Sequence, residues 1–325
     1  MVVLGLAGDT MLGRLVGERL ATDGPRALVA PEVIAVAQEA DLFVLNLECC
    51  ISDRGDPWPA PGKRFFFRAP PAAVDVLTLL GVDCVALANN HALDFGPQAL
   101  LDTFTRLERA GITWVGAGPN RTRAHAPVSI DASGYRLIVL AVTDHPADFA
   151  AEDERPGVAW ADLRRHVPGW LTAAVTNAAR DTAARATPGA VLLTPHWGPN
   201  MVANPVAHVR RAASTFRDAG ATLVAGHSAH VFHGVEDTVL YDLGDFLDDY
   251  ATSALRNDLG LFFLIELDEL GPRSLQAVPL ALDFCRTRIA TGDDAAWVAD
   301  RFRHACSAFG TTVHVEHDRL VIRWR

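Results

Sequence analysis

Short apolar runs alternate with amphipathic stretches along most of this chain, the pattern of a layered α/β fold. The runs predict strands over residues 2–7, 42–47, 84–88, 113–115, 136–142, 191–194, 222–225, 238–242 and 261–267. Several show no alternation of apolar and polar positions, so both of their faces are expected to be covered. Between them, residues 97–110 read as a helix: a proline opens the first turn, Leu100, Phe104 and Leu107 recur at helical spacing, and Gly111 stops it. Residues 171–186 and 205–219 predict two more helices, the second ended by Gly220. The proline- and glycine-rich residues 54–71 and residues 147–157 read as long loops, which in compact enzymes often meet substrate. Past residue 280 a helix is expected over 293–309 and a hairpin over 312–324, turning at His317-Asp318. The expected organisation is a main domain over residues 1–280 with a small C-terminal helix and hairpin, 281–325, packed on it.

Six apolar runs end in polar segments: Gly8-Asp9, Asn46-Leu47-Glu48, Asn89-Asn90-His91, His196-Trp197-Gly198, Gly226-His227-Ser228-Ala229-His230 and Gly244-Asp245-Phe246. Groups at the carboxyl ends of strands in an α/β sheet converge on one crevice, so these segments can meet although they are far apart in sequence. Taken singly, each has an ordinary alternative. Asp9 could cap a helix, Glu48 could form a buried ion pair, and His196 could be a hydrogen-bonded structural residue. His227 and His230, three residues apart just after an apolar run, are better placed for a metal, since neutral imidazole suits zinc, iron or manganese. Asp94 lies three residues beyond His91 and can orient that ring or add a carboxylate. Together the set matches the ligand inventory of two divalent metals about 3.5–4 Å apart. His125, His145, His166, His208, His304, His314 and His317 show no such convergence and are expected on the surface or in structural positions, whereas His233 can line the pocket.

Composition narrows the partners. The net charge is -10 and Lys63 is the only lysine, which argues against a nucleic-acid surface. Five cysteines without paired spacing suggest buried thiols in a reducing compartment, and no apolar stretch is long enough to span a bilayer. The opening residues run directly into Gly8-Asp9 as a core strand would, so a cytoplasmic location with no membrane partner is expected. Nothing in the sequence sets the oligomeric state.

The segments Gly8-Asp9-Thr10-Met11, Asn46-Leu47-Glu48, Asn89-Asn90-His91-Ala92-Leu93-Asp94-Phe95-Gly96, His196-Trp197-Gly198, Gly226-His227-Ser228-Ala229-His230 and Asp242-Leu243-Gly244-Asp245-Phe246 follow one another in a familiar order. In them the chain resembles the CapA-type, poly-γ-glutamate capsule (PGA_cap) branch of the calcineurin-like metallophosphatases, over residues 2 to about 265. The resemblance implies a four-layer α/β/β/α sandwich with two divalent metal ions (Mn, Zn, Fe or Ca) at one edge of its sheets. It assigns Asp9 and His230 to one metal, Asn90, His196 and His227 to the other, and Glu48 to a bridging position. His91 would face the leaving group, with Asp94 and Asp9 as further catalytic candidates. Asn46, Arg68, Trp197, His233 and Asp245 would be the residues nearest substrate. Met11 replaces a histidine ligand common in metallophosphatases, and Ser228-Ala229 replaces the usual His-Pro. Three activities are consistent with this pattern: a hydrolase of a phosphoester or of an amide, including a γ-glutamyl one; a metal-dependent peptide Cα-epimerase; and a non-catalytic accessory protein of poly-γ-glutamate synthesis. The small-molecule or peptide nature of the substrate is common to the first two. Water activation by two metals favours the first.

Overall fold

The first strand, Val2–Thr10, is nearly all buried, and its middle and end determine where the chemistry can sit. At Gly8 an added Cβ would lie 1.8 Å from the carbonyl oxygen of Gly244. Only glycine allows that approach, and it sets Asp9 in register beside Asp245 of the strand Asp245–Leu247. Asp9 therefore lies inside the strand and caps no helix; the following helix, Arg14–Asp23, starts after Gly13.

This computed structural model describes residues 1–325 and contains two large sheets. In the larger, Val2–Thr10 is central. On one side it runs parallel to Leu42–Leu47, and then come Cys84–Ala86 and Thr113–Val115, also parallel. On the other side it pairs antiparallel with Leu259–Asp268, followed by Gly271–Leu282 and Arg319–Arg323. The smaller sheet is built on Tyr135–Thr143, Gly189–His196, Leu223–Ala225 and Val239–Leu240, all parallel.

Three apolar layers hold these sheets. Leu4, Leu6, Val44 and Ile265 of the larger sheet pack against Leu137, Val139, Leu192 and Leu223 of the smaller one. The outer face of the larger sheet is covered by helices that include Arg14–Asp23, Pro31–Ala37, Ala73–Leu80 and Gly96–Arg109. The outer face of the smaller sheet is covered by Gly169–Ala184 and Ala207–Asp218. This is the expected α/β/β/α sandwich.

The C-terminal helix, Gly292–Ser307, places Val298, Phe302 and Cys306 in the apolar layer between the sheets. The hairpin of His314–Glu316 and Arg319–Arg323 extends the larger sheet through Gly271–Leu282. That last strand had no clear signature, because its sequence carries prolines at positions 272 and 279 and mixed polar residues. Three further helices, Arg14–Asp23, Pro31–Ala37 and Ala73–Leu80, are too short for periodicity to single out.

Candidate metal centre

All six polar segments meet at one edge of the sandwich. Asp9 and Glu48 come from the ends of adjacent parallel strands, His196 ends its strand in the second sheet, and His227 lies just past Leu223–Ala225. His196 and His227 are joined by a parallel bridge, with the Trp197 N–H on the His227 carbonyl at 3.0 Å. The His227–His230 turn is strained: Ser228 has φ 114° and His230 φ 58°. It is held because Asp242 accepts from Ala229 N–H at 2.8 Å and Gly244 N–H at 2.9 Å, and the Ser228 hydroxyl donates to the Gly198 carbonyl.

Two groups of ligand atoms converge: Asp9, His196 and His227 in one, Asp9, Glu48 and His230 in the other. His196 stands between the carboxylates, its Nδ1 3.9 Å from Asp9 Oδ1 and its Nε2 4.0 Å from Glu48 Oε1. Both of its nitrogens, along with Glu48 Oε1, Asn90 Oδ1 and His227 Nδ1, are buried without a hydrogen-bond partner. Asp9 Oδ2 is also unbonded, 3.3 Å from His230 Nδ1 but without hydrogen-bond geometry. So many orphaned donor atoms in one place are costly unless a cation gathers them, and their mixture of carboxylate, amide and imidazole suits a divalent metal. The residues present thus fit metal binding. Asp9 belongs to both groups and Glu48 to one.

The supporting residues orient the ligands. Asn46 donates to Asp9 Oδ1 at 2.7 Å and accepts from Asn89. Thr194 Oγ1 lies 2.5 Å from His227 Nε2, leaving Nδ1 of that ring as the ligand atom. Asp245 Oδ1 sits 2.8 Å from His230 Nδ1, and the Tyr250 hydroxyl donates to Glu48 Oε2 at 3.2 Å.

Electrostatics agree with a site completed by cations. Burial, then the charge of Asp9, pushes the Glu48 carboxyl well above its ordinary range. Burial acts the same way on Asp9, but the close His230 ring and the nearby His196 and His227 outweigh it and hold that carboxyl down. Burial lowers His196 far below an ordinary imidazole and His227 to about 4, which leaves both neutral and able to ligate. His230 is the opposite case: burial opposes its protonation, yet Asp245 and Glu48 raise it well above the usual value.

His91 lies beside this centre, its Nε2 4.0 Å from Glu48 Oε1, and Phe67 stacks on its ring at 3.9 Å. Burial brings His91 down to about 4, despite the neighbouring Asp94. Asp94, expected among the catalytic groups, has no free face. It is fully buried, holding His91 Nδ1 at 2.6 Å, the Phe67 N–H at 2.7 Å and Lys63 at 2.5 Å, so it orients His91.

The five residues expected nearest substrate have other partners. Asn46 and Asp245 are buried behind Asp9 and His230, as described. Trp197 is buried and donates from Nε1 to the Tyr241 carbonyl. His233 is buried with Nε2 on the Val202 carbonyl at 2.8 Å. Arg68 donates to the carbonyls of Arg54 and Gly55 and lies over the Phe95 ring, pinning the 54–71 loop. Lys63 likewise closes that loop over the site, donating to the Asn90 carbonyl at 2.7 Å.

Conversely, His145 stands at the centre although no convergence marked it in the sequence: its ring centroid is 5.4 Å from that of His196. Tyr250 and Thr194 were also unmarked. All three lie on segments whose proximity arises only in the folded chain, and a threonine within a strand, a loop tyrosine and a histidine before a proline carry no signal of their own.

The family described as Bacterial capsule synthesis protein PGA_cap matches residues 3–250. A probable polyglutamine synthesis accessory protein of Mycobacterium tuberculosis (strain ATCC 25618 / H37Rv) is 32% identical over 310 residues, covering 89% of this chain and 79% of that protein. The PGA biosynthesis protein CapA of Bacillus subtilis (strain 168) is 27% identical over 256 residues, covering 77% of this chain and 64% of its own. Among solved structures, a 5'-nucleotidase precursor from Thermus thermophilus aligns with TM-score 0.42 and 13% identity over 86% of this chain and 54% of its own.

Proposed function

Because this chain belongs to the bacterial capsule synthesis protein PGA_cap family, we propose that it is a metal-dependent hydrolase of a phosphoester or amide bond, a γ-glutamyl amide included. The observation that carries this reading is the convergence of unpartnered, buried ligand atoms in two groups sharing Asp9. A structural ion pair would leave fewer of them unsatisfied. Asp9, Glu48, Asn90, His196, His227 and His230 would hold two divalent ions, which when bound supply Lewis acidity toward a substrate oxygen and toward water.

The chain's own groups divide the remaining work. Asp94 fixes the His91 ring with Nδ1 turned inward, so Nε2 is the nitrogen available beside Glu48 for proton exchange with a leaving group. Phe67 and the loop anchored by Lys63 and Arg68 cover His91 and limit water there. Tyr250 fixes the second oxygen of Glu48. No helix is long and apolar enough to cross a membrane.

The names of the relatives favour a second reading, an accessory role in polyglutamate synthesis without catalysis. One experiment separates these readings. Metal-loaded protein is offered phosphoesters, γ-glutamyl amides and peptides in deuterated water. The hydrolase reading expects cleavage that His91→Ala abolishes while metal stays bound. Deuterium entering an uncut peptide would replace hydrolysis by Cα-epimerisation, and inertness toward every class would favour the accessory role.

A further inference from the structure

Beyond the ligands, one cluster of hydrogen-bonded polar groups stands at the same edge of the sandwich. Asp144, at the end of Tyr135–Thr143, has a wholly buried side chain. Its Oδ2 accepts from the Gly198 N–H at 3.0 Å and faces His208 Nε2 at 3.2 Å, while its Oδ1 faces His145 Nδ1 at 2.5 Å. Burial would raise the Asp144 carboxyl, but the hydrogen bonds it accepts from His145, the Gly198 N–H and His208 outweigh burial and hold it below its ordinary range. An ionised carboxylate has only lone pairs to offer, so Nδ1 of His145 carries the hydrogen between them. In the neutral ring, Nε2 is then left as a hydrogen-bond acceptor on the side away from Asp144. The backbone is fixed as well: Thr143 Oγ1 donates to the His145 carbonyl at 2.6 Å, and Trp160 Nε1 to the Asp144 carbonyl at 3.2 Å.

The His145 side chain is 22% exposed, against 1% for His196 beside it, and it belongs to neither group of ligand atoms. It is partly open to solvent beside His196 and is not among the metal ligands. His91, with Nδ1 on Asp94, repeats the arrangement next to Glu48. The centre is therefore flanked by two imidazoles, each backed by a carboxylate and each leaving an acceptor.

We propose that His145, positioned by Asp144, is a substrate-contacting residue that accepts a hydrogen bond from an N–H of the substrate, and that the site takes a secondary amide in preference to a phosphate. This rests on the metal-centre reading above. A phosphate monoester dianion presents only acceptors and gains nothing from an acceptor nitrogen beside the ligands, whereas an amide N–H finds its partner there.

The test uses manganese-loaded protein at pH 8, metal analysis and calorimetric binding of two probes, γ-glutamyl methylamide and γ-glutamyl dimethylamide, which differ in the amide hydrogen; methyl phosphate, a dianion without an O–H, is the third. The methylamide is expected to bind about 3- to 10-fold more tightly than the dimethylamide, the effect of one neutral hydrogen bond. His145→Ala is expected to erase that preference with its metal content intact and methyl phosphate binding unchanged. His145→Gln, which keeps an acceptor oxygen, should restore part of the preference, and Asp144→Asn should weaken it. Equal binding of the two amides by the parent protein, no binding of the methylamide, a preference that survives in His145→Ala, or loss of metal from that variant would each overturn the proposal. A parent protein that takes up no manganese would instead overturn the metal-centre reading beneath it.

Discussion

Asn46 donates from Nδ2 to Oδ1 of Asp9 at 2.7 Å, and this bond turns the other oxygen of the carboxylate toward His230. Asn46 itself is held by Asn89, whose Nδ2 also donates to the Leu47 carbonyl. The aspartate shared by both ligand groups is thus oriented by a chain of amides. Replacing Asn46 with leucine, which has the same branched shape without hydrogen-bonding atoms, should weaken metal binding about 10- to 100-fold, as loss of an outer hydrogen-bond partner typically does. Metal titration followed by calorimetry reads this directly, and unchanged affinity would show that Asp9 needs no such support.

The ligands themselves should behave as a unit. The purified protein is expected to hold ~2 divalent ions per chain after reconstitution with manganese or zinc. His227→Ala and Glu48→Ala should each lose metal and activity together, whereas His304→Ala, on an exposed helical position, should match the parent. Elemental analysis of the three variants checks it, and full metal retention in Glu48→Ala would make that residue a buried acid with no ligand role.

Asp245 should matter through His230. Asp245→Asn keeps the shape but removes the charge that, with Glu48, raises the proton affinity of the His230 ring. Metal affinity should fall by a factor similar to that for Asn46, with the larger loss at the ion of the Asp9, Glu48 and His230 group. Occupancy of the two positions, measured by manganese resonance, distinguishes this from a uniform loss.

His233 offers a pH test away from the ligands. Burial lowers it from 6.5 to about 4 in the folded protein. The unfolded chain therefore takes up the proton first as pH falls, and the stability contributed by the neutral ring is present above pH 6.5 and declines toward pH 4. The stability difference between the parent and His233→Gln should narrow by about 2 kcal/mol between pH 7.5 and pH 5, at roughly 1.4 kcal/mol per pH unit below the unfolded value. Urea unfolding of both proteins at the two pH values measures it, and a constant difference would remove His233 as the source.

Gly8→Ala tests the approach that places Asp9 beside Asp245. The new methyl would collide with the Gly244 carbonyl, a backbone atom that cannot swing aside. The variant should unfold at lower urea by several kcal/mol or, if it folds, bind metal poorly because the Asp9–Asp245 register is lost. Parent-like stability and affinity together would show that the two strands can separate without consequence.

The layered architecture and the polar segments that converge at one edge of the sheets were already legible in the amino-acid order. A strand buried on both faces must be written as an unbroken apolar run, as at Leu42–Leu47, and a polar group at its end is conspicuous against it. The helix Gly96–Arg109 was equally plain, since its apolar stripe is one-sided. The strand Gly271–Leu282 and the short helices over the larger sheet were not, because prolines and brevity blur the period.

What the sequence could not determine was the role of each polar residue within the cluster. Asp9 and Glu48 are both strand-terminal carboxylates, and only the pairing of the two sheets makes Asp9 the shared one. Asn46, Asp94 and Asp245 sit in the same motifs as the ligands, yet each is turned onto a neighbouring side chain. His145 and Tyr250 reach the centre from segments with no local mark. Periodicity and burial are local properties that a chain must encode residue by residue, whereas the partner of a side-chain atom depends on which distant strand ends beside it. That is decided by the packing of two sheets face to face, which brings their strand ends to one edge.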